Sequence, residues 1–318
     1  MINFYGLKEL INIYKIKKIL ITGSSGTVGT RLFEKLSGQG YKVTGFDRKH
    51  NEWNQKIDKL TIIGDLLEEK DIEKISADFD MVIHLAANAR VYDLVLEPDL
   101  ALENIVSTYN ILEFCRKKNI KKIIFSSSRE TYGNRSKIIA REEDVNIGLC
   151  ESVYAASKIS DEALIYSYSK CYEINYIICR LSNVYGMYDY SVRFIPLMIR
   201  KMKNKEGITI FGKDKLLDFT YIDDCVSGII KCIENFSATK NNVFNIASGK
   251  GSKLIDVARI IKEKMNSESQ IIIDKNRPGE VVRYIADISK AKKILGYKPS
   301  VDLKRGLELS IDWYKNHE

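Results

Sequence analysis

At 318 residues, with 45% hydrophobic content and a formal charge of +8, the chain is long enough for one large α/β domain and a smaller companion. Its lysines are spread between apolar runs, not gathered in a block with interleaved aromatics, which argues against nucleic acid and for a basic surface around a small anionic substrate. The six cysteines form no Cys-x-x-Cys pair, as expected of free thiols in a reducing compartment, so the expected location is the cytoplasm.

In chain order, residues 1–16 are interrupted by Lys8, Glu9 and Lys15. They read as an N-terminal extension, a short amphipathic helix propped against the domain rather than a signal peptide. No run approaches the roughly 20 apolar residues of a membrane span, so no membrane partner is expected. A strand over 18–22 then runs into Gly23-Ser-Ser-Gly26-Thr27-Val28-Gly29, which opens a helix over 28–37. Gly23 permits the sharp turn, Gly26 leaves room for a pyrophosphate, and Gly29 lets the helix pack close to the sheet, so this run is the expected phosphate cradle of a dinucleotide. Asp47 closes the next strand, 42–46, where a carboxylate can take the adenosine ribose hydroxyls and repel a 2′-phosphate. That favours NAD over NADP, while Arg48 beside it is the one group that could receive such a phosphate. After a strand over 60–63, Asp65 in Gly64-Asp65-Leu66 either meets the adenine edge or caps the next helix.

Strands over 81–85, 122–125 and 176–180 alternate with helices over 101–118 and 153–172. The rhythm predicts an α/β fold with a doubly wound parallel sheet, and runs such as Ile123-Ile124-Phe125 fit strands buried on both faces. Past residue 185 the rhythm loosens into a basic helix ending at Lys205, a strand over 208–211, a turn at 212–214, and helices over 254–265 and 288–295. This predicts a second, smaller domain from 185 to 318, with residues 244–249 offering a strand that can return to the main sheet.

Tyr154 and Lys158 share a helix face. An ammonium beside a phenol favours the phenolate, which would make Tyr154 a general base, and Ser128, in the loop after a strand, can hydrogen-bond the same substrate oxygen. His50, His84 and His317 lack metal-ligand spacing, so neither a metal site nor a Ser-His-Asp triad is expected.

Together these motifs resemble the extended short-chain dehydrogenase/reductase family, in its branch of NAD-dependent nucleotide-sugar epimerases and dehydratases, over roughly residues 17–315. The resemblance is carried by 22–29, His84-Leu85-Ala86-Ala87, Ser126-Ser-Ser128-Arg-Glu-Thr-Tyr132-Gly133, Tyr154-Ala-Ala-Ser-Lys158, Arg180-Leu-Ser-Asn183-Val-Tyr-Gly186, 218–224 and Arg277-Pro-Gly-Glu-Val281. It implies a Rossmann NAD-binding domain over 17–184 and a nucleotide-sugar-binding domain after it. Tyr154 would be the base, Lys158 its activator and ligand of the nicotinamide ribose, and Ser128 the substrate-hydroxyl partner. Leu66, Leu85, Ala86, Ala87 and Asn104 would lie at the cofactor. Asn183 and Arg277 would contact the nucleotide diphosphate, and pairing of helices 101–118 and 153–172 between two copies would give a homodimer.

The chain departs from the family pattern twice. Leu217 stands where an arginine commonly clamps the diphosphate, leaving that duty to Arg277 or Arg193. Arg129 replaces the first of the two acids that follow the hydroxyl residue in 4,6-dehydratases, so only Glu130 remains. The leading expectation is a nucleotide-sugar 4-epimerase; the alternatives are a 4,6-dehydratase or uronate decarboxylase using Glu130, or a non-catalytic NAD-sensing protein.

Overall fold

The computed structural model describes residues 16–317, so the helix expected over 1–16 lies, but for Ile16, outside the described residues. Seven strands form the central sheet: β1 (Lys18–Thr22), β2 (Lys42–Asp47), β3 (Thr61–Ile63), β4 (Met81–His84), β5 (Lys122–Ser128), β7 (Asn175–Leu181) and β11 (Asn242–Ile246). They lie in the order β11-β7-β5-β4-β1-β2-β3, and every pairing is parallel. Successive side chains of one strand enter different cores: Ile19 and Ile21 pack with Leu32, Phe33 and Leu36 of the helix Thr27–Gly38, whereas Leu20 packs with Val82, Ile111 and Phe125. The sheet is doubly wound, which is why its strands read as unbroken apolar runs.

The order reverses between β1 and β4, so a crevice opens at the carboxyl ends of these two strands. The run at 244–249 does enter the main sheet, as β11 on β7. It carries Asn245, fully buried, which accepts from the Tyr132 hydroxyl at 2.7 Å and donates to the carbonyls of Ala140 and Asp287. Arg180 on β7 pairs in bidentate fashion with Glu162 (2.9 and 2.7 Å) and donates to the Tyr132 hydroxyl. These buried bonds fix the loop after β5 against β7 and β11.

Over the crevice sit smaller sheets: β10 (Leu216–Tyr221) between β8 (Asn183–Tyr185) and β12 (Gly251–Lys253), β9 (Ile208–Phe211) with β13 (Ile271–Asp274), and β6 (Ile139–Ala140) with β14 (Ile285–Ala286). Asp218 joins them, its buried carboxylate accepting from the backbone of Ser248, Gly249 and Ala286. Two helices are absent from the sequence reading: Ile222–Glu234, which packs on the helix Thr27–Gly38 and against β7 and β11 of the main sheet, and Leu303–His317. Trp313 of the latter packs against Trp53 and Tyr188, with ring centroids 5.0 and 5.5 Å apart, and Tyr190 lies 4.5 Å from Trp53. No described helix is long and apolar enough to cross a membrane.

Candidate active site

The turn after β1 is shaped by glycines at two points where a side chain would collide. Gly23 has φ +73°, and a Cβ there would lie 2.7 Å from the Ala86 nitrogen; at Gly29 a Cβ would lie 2.0 Å from the Gly23 carbonyl oxygen. Gly26 caps the helix Thr27–Gly38, which has no side-chain cap and no acidic residue in its first turn. The helix therefore offers bare N–H groups and a positive dipole end, and the nearby Ser25 hydroxyl is buried without a partner. This set fits the pyrophosphate of a dinucleotide. Val28 lines the crevice, while the Thr27 hydroxyl donates to the carbonyl of Tyr188 at 2.9 Å, tying the turn to the segment that leads to Arg193.

Asp47 stands at the end of β2, its oxygens accepting from the Ser25 and Lys49 N–H groups at 2.9 and 3.0 Å. Arg48 is drawn away from it: the guanidinium donates to Asn88 and lies 3.7 Å from Asp65 and 3.6 Å from Glu103. Asp65 also accepts from the Leu67 N–H, a local turn. Leu66 is a core residue, so only its main chain is available to a ligand. Leu85 and Ala87 line the crevice, and Ala86 abuts Gly23. Asn104 is buried behind them, bonding the Asn88 backbone in both directions and reaching Ser157 at 3.3 Å. It braces the loop after β4 against the Tyr154 helix.

Beyond this turn opens a cleft of about 340 Å³, lined by Ser128, Arg129, Glu130, Tyr154, Lys158, Asn183, Arg193 and Arg277 among others. Ser152 caps the helix Val153–Tyr172 through the Ala155 N–H, which starts Tyr154 and Lys158 on the face toward β5. Burial raises the Tyr154 phenol, against a hydrogen bond with Ser128 and the charge of Arg193, both of which lower it. The lysine-lowered phenol expected from the sequence is therefore corrected: burial dominates at Tyr154. Lys158 donates to the Ser126 carbonyl at 3.1 Å and rides over the Phe125 ring, and burial lowers its pKa.

On the outer wall Leu217 is buried, as an apolar side chain in the arginine's place would be. Arg277 is clasped between two rings, its Cζ 3.8 Å from the Phe211 centroid and 4.7 Å from that of Tyr92. Arg193 lies 3.9 Å from Asp189. Asn183 is turned inward, its amide donating to the Asp218 carbonyl and its oxygen accepting from Arg129. Arg129 and Glu130 are an ion pair at 2.6 Å, both buried, with Arg129 Nη1 and Glu130 Oε2 unpartnered. Burial raises the Glu130 carboxyl, against the lowering charge of Arg129.

Sequence reasoning passes over several of these groups. Lys215, two residues before Leu217, lines the cleft and pairs with Glu280; the alternation of β10 is the signal that could have found it. Tyr92 and Phe211 come from separate elements and carry no local signature. Among the described residues no cluster of His, Cys, Asp or Glu could hold a metal ion.

A family model described as the NAD dependent epimerase/dehydratase family matches residues 19–247. A putative UDP-glucose 4-epimerase of Methanocaldococcus jannaschii is 34% identical over 307 residues, covering 94% of this chain and 99% of the relative. The crystal structure of UDP-glucose 4-epimerase of Thermotoga maritima with UDP-glucose superposes with a TM-score of 0.87 at 29% identity, covering 94% of this chain and 99% of that one. That of UDP-glucuronic acid 4-epimerase of Bacillus cereus with UDP-glucuronic acid and NAD gives 0.86 at 31% identity, covering 95% and 100%.

Proposed function

The chain belongs to the NAD dependent epimerase/dehydratase family, and from that premise we propose that it inverts the 4-hydroxyl of a nucleotide-diphosphate sugar. The observation that carries this reading is the shared cleft, in which Tyr154 and Ser128 face the same space as Arg193 and Arg277, beside the glycine turn. NAD would be held by the N–H groups at 26–29, the Asp47 carboxylate and Lys158. When bound it supplies the chemistry side chains lack, accepting a hydride from sugar C4 and returning it to the opposite face of the ketone, so that it ends unchanged.

The chain's own residues handle the proton and the orientation. Tyr154 takes the proton of the 4-hydroxyl as the hydride leaves and gives it back after the sugar has turned. Ser128 holds the same oxygen by a hydrogen bond. Burial disfavours the phenolate, and the Ser128 hydrogen bond and the charge of Arg193 work against that burial; the Lys158 ammonium would add to them. Arg277 and Arg193 hold the diphosphate while the sugar rotates, and guanidinium forks suit phosphate oxygens.

Proton NMR of a panel of nucleotide sugars incubated with the purified protein tests this. The expected product is the C4 epimer at unchanged mass, with no solvent deuterium at C5 or C6. One observation favours a second reading: Glu130 faces the cleft with an unpartnered oxygen and a carboxyl raised by burial, which suits a base at C5. Loss of water or carbon dioxide from the product would select it. We also propose a cytoplasmic homodimer. Its support is the free state of all six cysteines and the exposed Leu102, Tyr109, Val153 and Tyr172 on the two helices that a second copy would cover.

A further inference from the structure

Behind the cleft, a column of polar side chains crosses the buried interior between the end of β1 and the Tyr154 helix. Thr22 Oγ1 lies 3.4 Å from the Ala86 N–H and 2.7 Å from His84 Nδ1; His84 Nε2 lies 3.2 Å from Thr108 Oγ1. All of these side chains are buried, and His84 is held neutral, its pKa lowered to about 3 by burial. With Ala86 donating to Thr22, Thr22 donates to Nδ1 and the imidazole donates from Nε2 to Thr108. The Thr108 hydroxyl is left to turn toward Asp161, whose carboxyl it lowers by hydrogen bonding.

Asp161 is fully buried, its Oδ2 is 3.8 Å from Lys158 Nζ, and neither oxygen completes a hydrogen bond of normal geometry. Its neighbour Glu162 is committed elsewhere, to Arg180 and the Ser127 hydroxyl. The groups that face Asp161 are thus Lys158 on its own helix, Thr108 on the helix Asp99–Lys117 and, through Thr108, the neutral His84 on β4. Tyr154 and Glu162 bear on it by charge alone. A carboxylate in such a place weakens the fold, because burial of an under-bonded charge is costly.

We propose that Asp161 is a positioning residue: the counter-ion that keeps the buried Lys158 charged, with the Thr22–His84–Thr108 column as its support. This goes beyond the epimerase reading but rests on it for the use made of Lys158. Lys158 is buried, and the charges of Asp161 and Glu162 are what raise its pKa against that burial. Of the two, Glu162 is already neutralised by Arg180. Asp161 itself titrates at about 6, raised by burial, so the pair is fully formed only above that pH.

The test is Asp161→Asn in the full chain with NAD bound, read in three ways. Titration of the Lys158 amine by ¹⁵N NMR, its signal identified by loss in Lys158→Arg, is expected to show its pKa lowered by about one to three units, the range for removing an opposite charge at this distance. The alkaline limb of the kcat profile falls by the same amount with KM little changed, and Tm falls with it because the buried ammonium is left without its counter-ion. Thr108→Val, which leaves both charges in place, raises the acid limb instead. An unmoved Lys158 pKa in Asp161→Asn overturns the proposal, as does a fall in Tm with an unmoved pH profile. Should Asp161→Asn not fold, an unmoved acid limb in Thr108→Val overturns it. A shifted Lys158 in a protein that epimerises no nucleotide sugar removes the epimerase reading and leaves the ion pair standing.

Discussion

Replacing Arg277 by methionine keeps a flexible side chain between Phe211 and Tyr92 but removes the guanidinium. In the structure the two rings lie within 3.8 and 4.7 Å of the guanidinium carbon. They hold the guanidinium at the wall of the cleft, where its N–H groups can reach a ligand. A charge-assisted hydrogen bond is worth about 1.5–3 kcal/mol, and a fork can make two. Arg277 is only half-buried, so solvent screens part of that, and about 2 kcal/mol is the reasonable loss, or roughly thirtyfold in Kd. Calorimetric titration with UDP at low salt measures it without turnover. UDP is expected to bind about thirtyfold more weakly to Arg277→Met, while uridine, lacking the diphosphate, binds the variant and the unmodified protein alike. Arg277→Lys retains the charge but not the fork or the stacking, so it falls between the two. A UDP affinity within threefold of the unmodified protein, or an equal loss for uridine, would refute the assignment of Arg277 to the diphosphate.

Three further outcomes are expected. Tyr154→Phe should lower kcat by about 10²–10⁴ while NAD stays bound, and near-normal turnover in that variant removes Tyr154 from the chemistry. NAD should bind more tightly than NADP, with Asp47→Ala narrowing the gap; equal affinities in the unmodified protein would mean that Arg48 escapes its hold on Asp65 and Glu103. His84 is neutral in the fold, with a pKa of about 3 against 6.5 for the free side chain. It therefore contributes stability present above pH 6.5 that drains away as pH falls toward 3, at up to about 1.4 kcal/mol per pH unit. Urea titrations of His84→Gln between pH 6 and 4 should show that slope removed, and an unchanged slope would mean that His84 is protonated in place.

What the sequence disclosed follows from how local each signal is. Gly23 and Gly29 are legible because a backbone collision leaves no other residue for those positions, and Tyr154 and Lys158 because helical spacing alone puts them on one face. The helix Ile222–Glu234 is amphipathic, its buried Ile, Val and Cys set against Asp223, Ser227, Lys231 and Glu234, and it escapes notice because of the glycine within it. Gly228 interrupts it where a Cβ would lie 2.6 Å from Ile246, a closeness that only tertiary packing explains. Arg129 reads as a departure from a pattern; that it is locked to Glu130 and Asn183 inside the cleft depends on the turn after β5. Asp161 reads as one more acid on a helix. Its importance comes from what lies across the helix interface, a threonine 53 positions earlier in the chain.

The aromatic cluster at Trp53 has a spectroscopic consequence. The chain contains two tryptophans, Trp53 and Trp313, and both sit in that one cluster with Tyr188, whose carbonyl is tied to Thr27 at the phosphate cradle. Intrinsic emission thus reports on a single spot, placed where the cofactor turn meets the segment running to Arg193. Filling either half of the cleft should change the colour or yield of that emission, so binding order can be followed in a stopped-flow instrument with no label attached.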